Sequence, residues 1–80
     1  MSDAPYTEKQ GQYLAFIYYY TRINGQPPAE MDLQRFFGVT PPTVHQMVLL
    51  LESKGLLARL PRTPRSLRVL VPPEHLPLLR

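Results

Sequence analysis

The sequence predicts a mainly α-helical fold that carries one small β-hairpin. Three stretches have the apolar spacing or the end signals of helices, and two short apolar stretches joined by a proline-rich basic turn follow them. At 80 residues the chain is long enough for one domain and too short for two. We therefore expect a disordered N-terminus over residues 1–6, one folded domain over residues 7–71 and a C-terminal tail over residues 72–80.

The first helix is predicted to begin after Thr7. Thr7 and Gln10 have the spacing of a capping box, in which each side chain accepts a hydrogen bond from the other residue's backbone N–H. The Asn24-Gly25 pair ends the helix, because both residues tolerate the left-handed conformation of a helix terminus. Between these ends, large apolar residues recur with the spacing of one buried helical face: Tyr13, Phe16, Ile17, Tyr20 and Ile23.

The Pro27-Pro28 pair forces an extended connection to a second, shorter helix over residues 29–37. Glu30 and Asp32 lie in its first turn, where the positive end of the helix dipole favours carboxylates. The predicted core contacts of this helix are Leu33, Phe36 and Phe37.

Thr40-Pro41 predicts the start of a third helix that runs to Lys54. A hydroxyl cap is followed by a proline at the first helical position, where the missing N–H has no partner to lose. Gly38 fits the tight turn before this helix, and Gly55 closes it in the left-handed conformation. The predicted buried stripe is Val44, Met47, Val48 and Leu51. The opposite face carries Pro42, His45, Gln46, Leu49 and Ser53.

Residues 56–60 and 66–71 have the apolar pattern of two strands, and a turn containing Pro61 and Pro64 joins them. Pro72-Pro73 stops the second strand. Three helices, with a glycine-containing turn between the second and third, followed by a basic hairpin, is the order of elements in a winged helix-turn-helix. The sequence therefore predicts that fold, with three helices and a two-stranded wing.

A resemblance to a known family follows from the order and spacing of five short segments. They are Pro27-Pro28, Leu33 with Phe37-Gly38, Thr40-Pro41, Leu51 to Gly55, and Pro64-Arg65-Ser66-Leu67-Arg68. Over residues 6–71 the chain resembles the N-terminal DNA-binding domain of LexA-type repressors. The resemblance implies a repressor-like domain whose third helix reads an operator and whose wing lies on the sugar-phosphate backbone.

The chain departs from the family at the start of the third helix. Pro42 stands where the family usually has asparagine, acidic residues of the family are missing near His45 and Gln46, and the preceding turn is shorter. We therefore expect this chain to read a different sequence from the family's operator. These 80 residues have no counterpart of the family's self-cleaving protease half, so we expect a stand-alone DNA-binding domain.

The resemblance implies base-reading contacts from Thr40, Pro42, Thr43, His45 and Gln46, and wing contacts from Arg65 and Ser66. The residue types fit these roles: Gln46 can pair with adenine, His45 can donate to guanine, and Thr43 and Leu49 can pack on thymine methyls. The charge pattern adds phosphate contacts from Arg59, Arg62 and Arg68. Alternatively, His45 and Gln46 are solvated surface residues, and the arginines protect an exposed strand edge.

The composition argues against several other functions. The net charge of +3 fits a polyanionic partner, and the absence of cysteine excludes thiolate metal sites. His45 and His75 have no ligand-spaced neighbours, and the chain has no glycine-rich phosphate loop or nucleophile elbow. We therefore expect no catalytic residue, cofactor, metal or small-molecule substrate. Without a signal peptide or a membrane-spanning apolar stretch, a cytoplasmic protein with no membrane partner is expected.

Double-stranded DNA is the predicted partner, and transcriptional regulation is the predicted function. A homodimer on palindromic DNA would use either the tail or the exposed side of the first helix near Tyr18. The alternative function is a protein-interaction winged helix that docks onto a larger assembly. It would use Tyr18, Leu49 and the tail from Leu76 to Leu79.

Overall fold

The computed structural model describes residues 5–80, and residues 1–4 of the predicted disordered N-terminus lie outside that range. Three helices, a two-stranded antiparallel hairpin and one short 3-10 turn follow one another along the chain. The helices are α1 (Glu8–Asn24), α2 (Glu30–Phe37) and α3 (Pro41–Ser53), the strands are β1 (Leu57–Ala58) and β2 (Arg68–Val69), and the 3-10 turn is Pro73–His75. This confirms the predicted winged helix-turn-helix fold.

Both ends of α1 form as predicted. The Thr7 hydroxyl accepts from the Gln10 backbone N–H at 3.2 Å, and the Gln10 side chain accepts from the Thr7 N–H at 2.9 Å. Gly25 ends the helix with φ 77°. The predicted core position Ile23 is wrong, because its side chain is 81% exposed. Along α1, Ile17 is buried in the core and Tyr20 packs at its edge. The last turn of α1, which carries Ile23, extends past the core.

A second face of α1 is covered by residues 72–80, which we call the C-terminal strap. The Gln12 side chain donates to the Leu78 carbonyl at 2.8 Å and accepts from the Arg80 backbone N–H at 2.9 Å. Tyr6 packs against the core and donates from its hydroxyl to the His75 carbonyl. As a result, every residue of α1 from 10 to 17 is buried. Tyr6, expected within the disordered segment, belongs to this packing.

Helix α2 is held by its first turn and by aromatic packing. The Asp32 carboxylate accepts from the Ala29 N–H at 2.8 Å, which satisfies a backbone donor at the helix start. Leu33 is fully buried, and the Phe37 ring stacks on Tyr13 with centroids 4.2 Å apart. Phe36 only partly fulfils its predicted core role, because it lies against Phe16 at 4.5 Å but remains 45% exposed.

Helix α3 buries its predicted stripe. Val44, Val48 and Leu51 are fully buried, and Met47 packs against the core from a half-buried position. Gly55, with φ 76°, follows the helix in the left-handed conformation. Among the described helices, none is long and apolar enough to cross a membrane.

The hairpin is shorter than the sequence pattern predicts. Its register pairs Leu57 with Val69 and Ala58 with Arg68, and Leu70 donates to the Leu56 carbonyl at 2.9 Å. Beyond Ala58 the ladder stops, because Leu60 uses its N–H and carbonyl on the Ser66 hydroxyl, at 2.9 and 3.2 Å. Residues 59–67 therefore form a loop, which we call the wing loop.

Candidate nucleic-acid interface

The outer face of α3 presents a continuous exposed surface. Its exposed members are Pro42, Thr43, His45, Gln46 and Leu49, and Thr40 is exposed just before the helix. This surface forms because Val44, Val48 and Leu51 turn the opposite side of α3 into the core. The structure thus places five of the six residues predicted to read bases on the exposed side of α3, and the sixth, Thr40, directly before it.

The start of α3 offers few backbone donors. Pro41 and Pro42 occupy the first helical positions and have no N–H, and Val44 donates to the Thr40 carbonyl at 3.2 Å. The Thr40 hydroxyl does not cap the helix as predicted, and lies instead 3.0 Å from the Thr43 hydroxyl. With two of the usual orphan donors missing, this helix end is a poor phosphate site, and its polar groups are chiefly the two hydroxyls.

Glu30 links the α3 face to the start of α2. Both of its carboxylate oxygens lie 3.4 Å from His45 Nδ1, on the exposed side of α3. Glu30 also borders a groove of about 250 Å³ between the start of α2 and the wing loop, whose wall includes Arg65 and Ser66. The predicted base-reading face and the wing therefore meet at the start of α2.

The four arginines of the hairpin differ in their partners. Arg59 forms an ion pair with Glu52 at 3.2 Å, and Arg65 forms one with Asp32 at 3.2 Å. Arg62 and Arg68 are exposed and have no ion pair within residues 5–80. Of the four hairpin arginines, only Arg62 and Arg68 thus have guanidinium groups with no carboxylate partner among residues 5–80.

Arg65 has three acceptors within the protein. Its Nη1 lies 3.3 Å from the Tyr20 hydroxyl, 3.4 Å from the Pro27 carbonyl and 3.2 Å from Asp32 Oδ2. The hydrogen bond with Tyr20, supported by the charge of Asp32, raises the pKa of Arg65 above its ordinary value. Arg65 is therefore a permanent cation that connects the wing loop to α1, α2 and the segment between them.

Ser66 has its hydroxyl inside the wing loop. Besides its two bonds with Leu60, it lies 2.8 Å from the Thr63 carbonyl. A hydroxyl has one donor and two acceptor lone pairs, so these contacts use most of its capacity. The wing contact that the resemblance implies for Ser66 thus falls on a side chain that holds the loop together.

A larger groove, of about 670 Å³, lies on the other side of the wing loop. Tyr18 and Arg22 of α1 form one wall, and Arg65 and Arg68 form part of the other. Arg65 lines both grooves. Its side chain extends from the wing loop to the helices and separates one groove from the other. The sequence did not predict the contacts of Arg65 with Tyr20 and Asp32, or the contact of His45 with Glu30. In each case the two residues lie far apart along the chain.

Comparison with known proteins matches the part of the chain that contains the three helices and most of the wing loop. Residues 6–63 match the family model described as "Iron dependent repressor, N-terminal DNA binding domain". The chain is 38% identical over 68 residues to the LexA repressor of Thermosipho africanus, an alignment that covers 85% of this chain and 34% of that protein. It is 35% identical over 79 residues to the LexA repressor of Carboxydothermus hydrogenoformans, covering 95% of this chain and 39% of that protein.

The LexA repressor of Thermosipho melanesiensis is 41% identical over 61 residues, which covers 76% of this chain and 31% of that protein. The chain spans roughly a third of the length of the curated relatives that it matches. The resemblance to LexA-type N-terminal domains is thereby confirmed. The matched family is one of DNA-binding domains and not of enzymes.

Proposed function

Because this chain belongs to the family of iron-dependent repressor N-terminal DNA-binding domains, we propose that it binds double-stranded DNA with α3 in the major groove and the wing on the phosphate backbone. It is a LexA-like, repressor-type DNA-binding domain. The observation that carries the proposal is that the exposed face of α3 and the arginine-bearing wing loop meet at the start of α2.

We assign sequence reading to the middle of the α3 face. Gln46 can donate to adenine N7 and accept from adenine N6 in a bidentate pair, and its exposed side chain has no hydrogen bond within residues 5–80. His45 can donate to guanine once it leaves Glu30, whereas Pro42, Thr43 and Leu49 offer apolar contact to thymine methyls. The Thr40 and Thr43 hydroxyls lie at the helix start, where they can reach the phosphate at the edge of the groove.

We assign the strongest phosphate contacts to Arg62 and Arg68, which are exposed and not engaged with a carboxylate in the described chain. Arg59 can add a contact if it exchanges Glu52 for a phosphate. Ser66 would have to give up a bond to a wing-loop carbonyl before it could donate to a phosphate. Arg65 has its Nη1 group on Asp32, so only its Nε and Nη2 groups could contact a phosphate while that bond is kept.

Salt dependence tests the proposal. Each phosphate neutralised on duplex DNA contributes about −0.9 to the slope of log K against log salt concentration. Three contacts per domain predict a slope of roughly −3, measured by fluorescence anisotropy on random-sequence duplex. A slope near zero, or no binding at low salt, would contradict the proposal. Selection of bound sequences would then give the preferred site.

Pairing of two copies on a palindromic site is part of the proposal, since one helix contacts too few base pairs to single out a genomic site. The C-terminal strap is engaged with α1, so we place the pairing surface on the exposed side of α1, at Tyr19 and Ile23. Sedimentation with and without a selected palindrome tests this, and Ile23→Lys should abolish cooperative binding while leaving half-site affinity unchanged.

The protein-interaction alternative is less well supported. Leu76 and Leu79, two of its proposed contacts, pack against the core, and Tyr18 lies half-buried beneath Arg22 with 5.7 Å between the guanidinium and the ring. Leu49, at 40% exposure, is available to either function.

The family description names iron, and the described residues do not suit a metal ion. Within residues 5–80 no group of three or more histidine, aspartate or glutamate side chains could hold one, and the chain has no cysteine. The pair of His45 and Glu30 supplies two ligand types where a protein metal site needs three or four.

A further inference from the structure

Arg65 combines distant side-chain partners with a left-handed backbone, which Arg62 in the same loop also has. Its guanidinium reaches Tyr20 on α1 and Asp32 on α2, which lie 45 and 33 residues away along the chain. Its backbone is in the left-handed region, with φ 55°, a conformation that residues other than glycine seldom adopt. A guanidinium nitrogen that lies within 3.4 Å of three acceptors indicates that the surrounding structure maintains this side-chain orientation.

Asp32 is the central acceptor of this arrangement. Its side chain is only 19% exposed, and Oδ2 accepts both from the Ala29 N–H and from Arg65. If Arg65 moved to a phosphate, Asp32 would be left without its cation beside the wing, where DNA brings further negative charge. The ion pair thus neutralises Asp32 while it fixes the base of the wing loop.

We propose that Arg65 is a positioning residue: through Asp32 and Tyr20 it holds the wing loop in its DNA-binding orientation and does not itself bind a phosphate. This inference rests on the proposed DNA-binding function. Its physical basis is preorganisation, because a wing already held in place loses less conformational freedom when Arg62 and Arg68 meet the backbone.

The sign of the effect of Asp32→Asn distinguishes positioning from phosphate contact. Asparagine keeps an acceptor for the Ala29 N–H and removes one negative charge. If Arg65 left Asp32 to bind a phosphate, this change would release it and strengthen DNA binding. Under the proposal it weakens binding by about two- to fivefold, the range expected for loss of a partly exposed ion pair. Tyr20→Phe, which alters no charge, should weaken binding in the same direction.

Glu52→Gln is the matched control, since it removes one negative charge from the partner of another hairpin arginine at the same 3.2 Å distance. It should leave affinity unchanged or raise it. Arg65→Met and Arg62→Met form a second matched pair, because both arginines have a left-handed backbone in the same loop. Arg62→Met should reduce the salt slope by about one unit, whereas Arg65→Met should lower affinity without changing the slope.

A double variant and a measurement without DNA complete the test. The double variant with Asp32→Asn and Arg65→Met should bind DNA no more weakly than Arg65→Met alone. Each change breaks the same interaction, so the second change removes nothing further. In the free protein, amide hydrogen exchange at Leu60 and Thr63, whose N–H groups bond within the wing loop, should accelerate in Asp32→Asn and Arg65→Met but not in Arg62→Met.

Tighter binding by Asp32→Asn, or a smaller salt slope for Arg65→Met, would make Arg65 a phosphate contact and overturn the inference. If the unaltered protein binds no duplex DNA, the proposed function fails, and hydrogen exchange alone decides the positioning role. Unchanged exchange at Leu60 and Thr63 in both Arg65→Met and Asp32→Asn would overturn that role. Thermal melts followed by circular dichroism identify any variant that is unfolded under the assay conditions.

Discussion

Gln46 and Arg65 were both assigned to the DNA interface from sequence, and they differ in how the protein uses their hydrogen-bonding groups. The Gln46 side chain is exposed and has no hydrogen bond within residues 5–80, whereas Arg65 has three protein acceptors. Residue type and helical position were enough to place Gln46 on the surface. They could not reveal the partners of Arg65, because Asp32 approaches it only after the chain has folded.

Gln46→Ala should affect specific and non-specific DNA binding unequally. The variant loses a bidentate base contact and no charge, so we expect a loss of about 1–3 kcal/mol on the preferred site and little change on random DNA. Competition binding on both duplexes measures the difference. Gln26→Ala, at an exposed glutamine outside the helices, is the control and should change neither affinity. Equal losses on both duplexes would show that this face does not read sequence.

Thr40→Val and Thr7→Val compare two threonines that precede helices. The Thr7 hydroxyl caps α1, and its loss should lower the free energy of unfolding by about 1 kcal/mol. The Thr40 hydroxyl contacts only the exposed Thr43 side chain, so its loss should cost less than about 0.5 kcal/mol. Urea unfolding of both variants checks this. A larger loss at Thr40 would mean that its hydroxyl caps α3 in solution.

The elements of the fold were predictable to different degrees. The ends of α1 and the buried stripe of α3 follow from local signals, because a cap or an apolar repeat acts within one or two turns of helix. The position of the strap was not predictable, since its contacts join Gln12 to Leu78, 66 residues away. The wing strands were predicted too long because a side chain takes the place of the strand pairing. The Ser66 hydroxyl bonds to the Leu60 N–H and carbonyl, which would otherwise pair with the opposite strand.

Gly11→Ala tests the packing of the strap against α1. Alanine favours a helix interior by roughly 1 kcal/mol over glycine. A Cβ at position 11 would, however, lie 2.7 Å from the Tyr6 ring and 3.0 Å from Pro77. We expect the crowding to outweigh the helix preference, so that the variant is less stable in urea and its Arg80 amide exchanges faster. In a Tyr6→Ala background, where the closest contact is gone, the same substitution should be less destabilising. Stabilisation of the otherwise unaltered protein would contradict this packing.

At the scale of the whole molecule, the α3 face, the start of α2 and the wing loop form one side, and the strap covers another side of α1. The family could be recognised from sequence because the order and spacing of the elements can be read along the whole chain. The family model, which matches residues 6–63, agrees with that recognition. The electrostatic arrangement could not be recognised in this way. Two of the four hairpin arginines are paired with Glu52 and Asp32, so the positive charge available to DNA is smaller than the arginine count indicates.

The long sequence separation of the strap contacts has a kinetic consequence. Closing a loop of 66 residues before the core exists would lose chain entropy without compensating contacts, so the strap should dock after the folding transition state. Gln12→Ala, which removes both side-chain hydrogen bonds to the strap, should therefore speed unfolding about fivefold and leave the refolding rate unchanged in stopped-flow measurements. Slower refolding would place the strap in the folding nucleus. Late docking makes the strap the first part of the molecule to detach, and its attachment then determines how long each folded molecule persists.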